Sequence, residues 1–169
     1  PNVWTVVEAG TAAGVVVVGA AGNGAEDLDR AWDQTNYMNW GDSGAILVGA
    51  GTSDINHDTM YFSTYGARVD VQGWGQNVFT LSYGAYAMLG GDPDQAYTNS
   101  FSGTSSASPI VTGAAVLIQD YAITLSGSPL DPLVIRQLLV ETGIPQGEGG
   151  AIGPFPDLAV AFAALDGDE

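Results

Sequence analysis

Residues 101–115 read FSGTSSASPIVTGAA and place Ser105 where a loop becomes a helix. The pattern of residues 104–124 predicts the longest helix of the chain, with Ser105 in its first turn. Backbone N–H groups in a first turn have no partner within the helix, and the positive end of the helix dipole lies there. Both features would stabilise an oxyanion that forms when the hydroxyl attacks a carbonyl, so Ser105 is a candidate nucleophile.

The remainder of this helix is predicted to be buried. Pro109 falls early, where a missing N–H and the ring clash cost least. The following turns have no hydrophilic face, which is typical of a helix enclosed by other elements, and Gly113 would permit close packing. Before the helix, Gly103 would let a substrate backbone approach closely.

Apolar runs upstream predict a parallel sheet. Residues 15–18 are four consecutive valines between glycines, as expected of a strand buried on both faces. Further strands are predicted at 45–50 and 69–72, and a hairpin within 78–101. Helices are predicted at 2–14, 132–141 and 157–165. The chain therefore has an α/β pattern, with residues 1–165 in one domain and 166–169 as an acidic tail.

The amino-acid composition limits which binding partners the protein can have. Nineteen acidic residues stand against three arginines, with no lysine, giving a formal net charge of -16. Nucleic acid is an unsuitable partner for such a chain, and anionic membranes are repelled. There is no cysteine for a disulfide or a nucleophile, and neither a membrane-spanning run nor a signal-peptide pattern is expected.

A second motif follows the valine strand. Residues 19–24 read GAAGNG, and Asn23 lies between two glycines. Taken alone, an Asn in this setting is typical of a left-handed turn. Asn23 at a strand end and Ser105 at a helix start could also converge on one oxygen from two directions.

The run Gly103-Thr104-Ser105-Ser106-Ala107-Ser108-Pro109 resembles the nucleophile motif of the subtilisin-like serine peptidases, Gly-Thr-Ser-x-Ala-x-Pro, at every defined position. Residues 20–23 are similar to the Ala-Ala-Gly-Asn segment of that family. The resemblance implies a three-layer sandwich with a mostly parallel central sheet, Ser105 as nucleophile and Asn23 as oxyanion donor. It also implies substrate contacts at Gly22, Gly103 and Thr104. In subtilisin itself, loss of the corresponding Asn costs roughly a hundred- to a thousandfold in turnover.

In that family the catalytic Asp and His precede the Ser, and neither is expected in this chain. The resemblance therefore implies the C-terminal part of a peptidase domain. An N-terminal part, in the same or a nicked chain, would supply the acid and base. The chain alone is expected to be inactive, and the complete domain to hydrolyse protein or peptide substrates without an organic cofactor. Secretion is an expectation from the family.

Two other candidates for chemistry are set aside. Ser43, in Gly41-Asp42-Ser43-Gly44, is similar to the serine motif of the chymotrypsin family, but a buried strand follows it and no His precedes it. The single histidine, His57, is predicted to be an exposed loop residue.

The acidic loop at 25–43 allows two interpretations. Asp27, Asp29 and Asp33 could bind calcium, or the loop could simply be solvated. Two alternatives to a peptidase function remain. One is an inactive module of the same fold that binds peptides or partner proteins, and the other is an acidic calcium-binding structural domain.

Overall fold

A computed structural model of the protein describes residues 2–30, 41–82 and 86–167. Its helices are α1 (Asn2–Ala12), α2 (Thr104–Ser126), α3 (Pro132–Thr142) and α4 (Leu158–Asp166). Its strands are β1 (Val18–Ala20), β2 (Ile46–Gly51), β3 (Val71–Trp74), β4 (Val78–Leu81), β5 (Ala87–Met88) and β6 (Ala96–Phe101). All the predicted helices and strands are present, with ends displaced by at most three residues.

The first three strands form a parallel sheet in the order β1-β2-β3. Helix α2 packs against all three, and α3 and α4 pack against α2. The core between these layers includes Val48 and Val71 from the sheet and Val111 and Ile118 from α2. This confirms the predicted α/β architecture with a parallel sheet.

The prediction that the valine strand is buried on both faces is wrong for this chain. Residues 16–18 are only partly buried, and Val15 is 53% exposed. The physical reason is position, because β1 is the outer strand and pairs only with β2 among the described residues.

The prediction of a wholly buried α2 is also wrong. One face, including Ala107, Ala114 and Ala122, is buried against the sheet and the other helices. The opposite face is apolar but open, with Val116 61% exposed and Leu117 51% exposed. Apolar residues all round a helix do predict burial, but in the described structure no element covers this second face.

The predicted hairpin at 78–101 is a small antiparallel sheet in the order β4-β6-β5, with two short 3-10 turns at 89–91 and 93–95. Strand β6 leads directly into the loop before α2.

The helix ends follow local chemistry. Gly14, just past α1, has a φ of 88°, which favours glycine. Asp131 and Asp157 cap α3 and α4 by accepting hydrogen bonds from backbone N–H groups of the first turn. Helix α4 includes Asp166, whose carboxylate accepts a hydrogen bond from the Tyr121 hydroxyl. The division into a domain of residues 1–165 and an acidic tail at 166–169 stays a prediction.

Two arginines and two aspartates form a network beside β2. Arg68 donates to Asp70 at 2.7 Å and to the Ala45 carbonyl at 2.9 Å, and Arg136 from α3 binds Asp42. The hydrogen bond from Arg136 holds the pKa of Asp42 down at about 2. Burial raises the pKa of Asp70, against the hydrogen bond from the Leu47 N–H and the charge of Arg68. This network attaches α3 to the sheet.

Gly73 lets α2 approach β3. A Cβ at this position would lie 2.5 Å from the carbonyl oxygen of Ala107, a backbone atom that cannot move aside without shifting the helix. We expect Gly73→Ala to lower the free energy of unfolding by about 1–3 kcal/mol, as overpacking does, measured by urea denaturation. Gly113→Ala is the matched control, because a Cβ there meets nothing within 4 Å and should stabilise the helix by about 0.5–1 kcal/mol. Equal effects of the two variants would contradict the close contact.

The Asp42 carboxylate should make stability depend on pH. Its pKa of about 2 lies below the ordinary aspartate value of 3.8. Its contribution to stability is therefore complete above about pH 4 and is lost as the pH falls toward 2. Its side chain is half exposed, so solvent screening leaves an effect of about 1 kcal/mol at pH 7 for Asp42→Asn. Urea denaturation should show this difference in full at pH 7 and only in part at pH 2.5, while Asp94→Asn changes little at either.

Candidate active site

The loop before α2 sets the position of Ser105. Gly103 has a φ of 92°, a conformation that other residues rarely adopt, and its N–H donates to the Gly75 carbonyl at 2.9 Å. The buried Ser106 hydroxyl bonds to the carbonyl oxygens of Trp74 and Gly103. These contacts tie the first turn of α2 to the end of β3 and leave Ser105 exposed between them.

Asn23 is joined to the same turn. Its side-chain oxygen Oδ1 accepts from the Thr104 N–H at 2.9 Å and from the Thr104 hydroxyl at 3.1 Å. The Thr104 hydroxyl in turn accepts from the Gly22 N–H at 3.2 Å. Because both bonds at Oδ1 come from donors, the orientation of the amide is fixed by chemistry, and Nδ2 is the end that remains available.

The free Asn23 amide faces the loop that carries the serine. A Cβ built on Gly103 would lie 3.0 Å from Nδ2, so this nitrogen is close to the backbone just before Ser105. Ser105 is the second residue of α2, and its N–H has no acceptor within the described structure. The Asn23 Nδ2 and the Ser105 N–H are therefore two N–H donors of different origin at the start of α2, which is the kind of pair that could stabilise an oxyanion.

The predicted neighbours of the site are brought together. The backbone of Gly22 is used within the protein, since its N–H binds Thr104 and its carbonyl accepts from the Thr64 N–H. The Thr104 side chain is 1% exposed and holds Asn23 in place. Gly103 is buried but lines the cavity described next. The substrate-contact roles of Gly22, Gly103 and Thr104 stay predictions.

A cavity of about 320 Å³ opens beside Asn23 and Gly103, lined also by Tyr61, Phe62 and Ser102. No chemical motif in the sequence marks Tyr61 or Ser102 as site residues.

His57 is not an exposed loop residue, so that prediction is wrong. Its ring is stacked on Phe155 with centroids 4.8 Å apart, and the residue is only 9% exposed. Its carbonyl accepts from the Gly147 N–H and the Gln72 amide. The ring lies under the segment before α4, in contacts that do not involve Ser105, which agrees with its rejection as a base.

The two possible calcium ligands that the structure describes have protein partners. Both carboxylate oxygens of Asp29 accept from the Ala67 N–H, and Asp27 pairs with Arg30. Asp33 lies outside the described residues. No group of three or more metal-ligating side chains is found across residues 2–30, 41–82 and 86–167. A calcium site stays a prediction.

Thr104→Val should test the link between the strand end and the helix. The change keeps the side-chain shape but removes the hydroxyl that binds Asn23, and it leaves the Gly22 N–H without that partner. We expect the free energy of unfolding to fall by about 1–3 kcal/mol, measured by urea denaturation. Thr112→Val, in the same helix, loses only a local bond to the Ser108 carbonyl and should change it by less than about 0.5 kcal/mol. Similar losses in both variants would show that the link is unimportant.

Comparison with known proteins identifies the family of this chain. The model of the subtilase family matches residues 2–156. Subtilisin DY of Bacillus licheniformis is 35% identical over 122 residues, which are 72% of this chain and 39% of that protein. The extracellular basic protease of Dichelobacter nodosus is 30% identical over 142 residues, 83% of this chain and 21% of that protein. The chain thus spans less than half the length of these relatives.

Solved structures show the same fold. The patellamide maturation protease PatA superposes with a TM-score of 0.70 at 23% identity, covering 98% of this chain and 57% of that one. A cold-adapted subtilisin-like serine proteinase has a TM-score of 0.61 at 24% identity, covering 90% of this chain and 50% of that one. With the family model matched over nearly the whole sequence, this chain belongs to the subtilase family.

Proposed function

We propose that this chain carries the nucleophile and oxyanion donors of a subtilisin-like serine endopeptidase. The observation that supports this most directly is the joint position of Ser105 and Asn23. Ser105 is exposed at the start of α2, and the Asn23 side chain is hydrogen-bonded to Thr104, the residue that precedes it.

In the proposed reaction, the Ser105 hydroxyl attacks the scissile carbonyl carbon and gives its proton to a histidine from the absent part of the domain. The carbonyl oxygen becomes an oxyanion between the Ser105 N–H and the Asn23 Nδ2. The histidine then protonates the leaving amine as the peptide bond breaks, leaving an acyl ester on Ser105. Water, deprotonated by the same histidine, hydrolyses this ester and restores the hydroxyl.

The acid and base must come from elsewhere, because His57 is the chain's single histidine and it is buried against Phe155. We infer that an N-terminal part of the peptidase domain supplies the Asp and His, in the same or a nicked chain. Without them Ser105 is an ordinary alcohol, so the chain alone is inactive. Substrates are proteins or peptides, and no organic cofactor takes part.

The location proposed is extracellular. One relative is itself named as an extracellular protease. The charge of -16 with no lysine makes nucleic acid and anionic membranes poor partners.

The decisive test is covalent labelling of Ser105 by a fluorophosphonate in the complete polypeptide, followed by peptide mass mapping. We expect labelling at Ser105, its loss in Ser105→Ala, and no change in Ser128→Ala, which alters an exposed serine beyond α2. In the same protein, Asn23→Ala should lower kcat roughly a hundred- to a thousandfold, the effect known for subtilisin, with a smaller change in KM.

The rival is an inactive subtilase module that binds peptides. It predicts no labelling of Ser105 in the complete polypeptide and saturable peptide binding without turnover. That result, with correctly folded protein, would exclude the peptidase.

A further inference from the structure

Asn23 is followed directly by Gly24, and this is the single Asn-Gly pair in the sequence. Asparagine is one of the thermolabile residues of proteins, because the backbone nitrogen of the next residue can attack its side-chain carbon Cγ. A glycine in the next position hinders this attack least, since it has no side chain beside the nitrogen. The pair therefore carries the reactive groups of a deamidation site.

The attacking nitrogen, that of Gly24, is available. Asn23 and Gly24 are both exposed, at a bend that follows β1. The next amide along the chain is used within the protein, since the Ala25 N–H donates to the Phe62 carbonyl at 2.9 Å. The Gly24 N–H has no acceptor within the described structure. Its proton can therefore pass to solvent without the loss of a protein hydrogen bond.

The side-chain carbonyl of Asn23 is activated by its contacts at the start of α2. Its Oδ1 accepts from the Thr104 N–H at 2.9 Å and from the Thr104 hydroxyl at 3.1 Å. When a nitrogen adds to Cγ, negative charge develops on this oxygen, and donors that the fold already holds in place stabilise that charge. The N–H also belongs to the first turn of α2, where the helix dipole is positive. The bonds that orient the amide therefore lower the barrier to its loss.

The leaving group, Nδ2 of Asn23, lies beside open space. It is the end of the amide that Thr104 does not bind, and a Cβ built on Gly103 would lie 3.0 Å from it. The cavity of about 320 Å³ is lined by both Asn23 and Gly103. Ammonia can leave through this cavity, and water can enter it.

We propose that Asn23 is a self-modification site, at which the amide is converted without an enzyme to aspartate or isoaspartate. The Gly24 nitrogen gives its proton to solvent and bonds to Cγ of Asn23, and Oδ1 takes the negative charge. The Cγ–Nδ2 bond then breaks, and Nδ2 takes up a proton and leaves as ammonia. Water opens the resulting succinimide at Cγ to give aspartate, or at the backbone carbonyl carbon of residue 23 to give isoaspartate. No oxidant or reductant takes part.

The conversion would inactivate the peptidase with time while the protein stays folded. This consequence, unlike the modification itself, rests on the proposed function. Both products lack the Nδ2 donor, whose loss in subtilisin costs roughly a hundred- to a thousandfold in turnover. Both also place a carboxylate where an oxyanion would form, and two like charges at short distance repel one another. Asn23 would therefore set the working life of the active site.

Peptide mapping by mass spectrometry tests the site in the folded protein. After incubation in mildly alkaline heavy-oxygen water, residue 23 should carry one labelled oxygen atom, and an isoaspartyl methyltransferase should methylate part of the product. Asn99, which is exposed but followed by a serine, should convert at least about tenfold more slowly. In urea that unfolds the protein, conversion of Asn23 should slow by about tenfold, the rate factor that one hydrogen bond to a developing charge supplies.

Gly24→Ala is the matched control variant. Gly24 does not have a positive φ, and the atoms nearest to an added Cβ belong to the flexible side chain of Glu26, the first of them at 3.2 Å. The Tm should therefore be unchanged, while conversion of Asn23 slows by about tenfold or more because the nitrogen is hindered. In the complete polypeptide, peptide hydrolysis should decline in step with conversion, and Gly24→Ala should keep its own starting activity for longer.

Three results would overturn the proposal. Asn23 could remain an amide while Asn99 converts, or it could convert faster in urea, which would show that the fold protects it. Equal conversion in Gly24→Ala would show that the Gly24 nitrogen is not the attacking group. The peptidase is tested separately by fluorophosphonate labelling of Ser105 in fresh protein. Conversion of Asn23 without any such labelling would uphold the modification site and refute the peptidase.

Discussion

The contact between the first turn of α2 and the carboxyl end of the parallel sheet is the constraint on which the rest of the structure depends. Asn23 and Thr104 are 81 residues apart in sequence, yet their hydrogen bonds join the loop after β1 to the start of the helix. The contact is possible because Gly73 has no side chain to hold α2 away from β3. Packing in the core and geometry at the site are thus set by the same close approach.

The polar groups of this contact are arranged so that few are left without partners. The Thr104 hydroxyl serves both Asn23 and the Gly22 N–H, and the Ser106 hydroxyl serves the Trp74 carbonyl. Buried hydroxyls that are fully bonded fix the geometry of a site before any ligand arrives. Ser105, by contrast, has no hydrogen-bond partner for its hydroxyl in the part of the chain that the structure describes, which keeps it available for reaction.

Sequence patterns located Ser105 and Asn23 because their signals are local, in a loop-to-helix motif and in a strand-to-loop motif. The strands and helices followed from apolar runs and capping residues such as Asp131 and Asp157. The burial of His57 could not be predicted, because its stacking partner Phe155 comes 98 positions later in the chain. The exposure of Val15 and Val116 could not be predicted for another reason. An apolar run indicates a buried element, but it does not show where a strand lies in the sheet or which face of a helix is packed.

The arginines are paired with aspartates, so the protein's surface charge is almost entirely negative. Arg68 and Arg136 are committed to Asp42 and Asp70 beside the sheet, Arg30 is paired with Asp27, and lysine is absent. The solvent therefore meets carboxylates with almost no mobile cationic side chain among them, and the folded chain behaves as a polyanion whose charges repel one another. Counterions from the solvent then reduce the repulsion between these carboxylates, as surface lysines do in other proteins. Ionic strength therefore contributes to the stability of the folded chain.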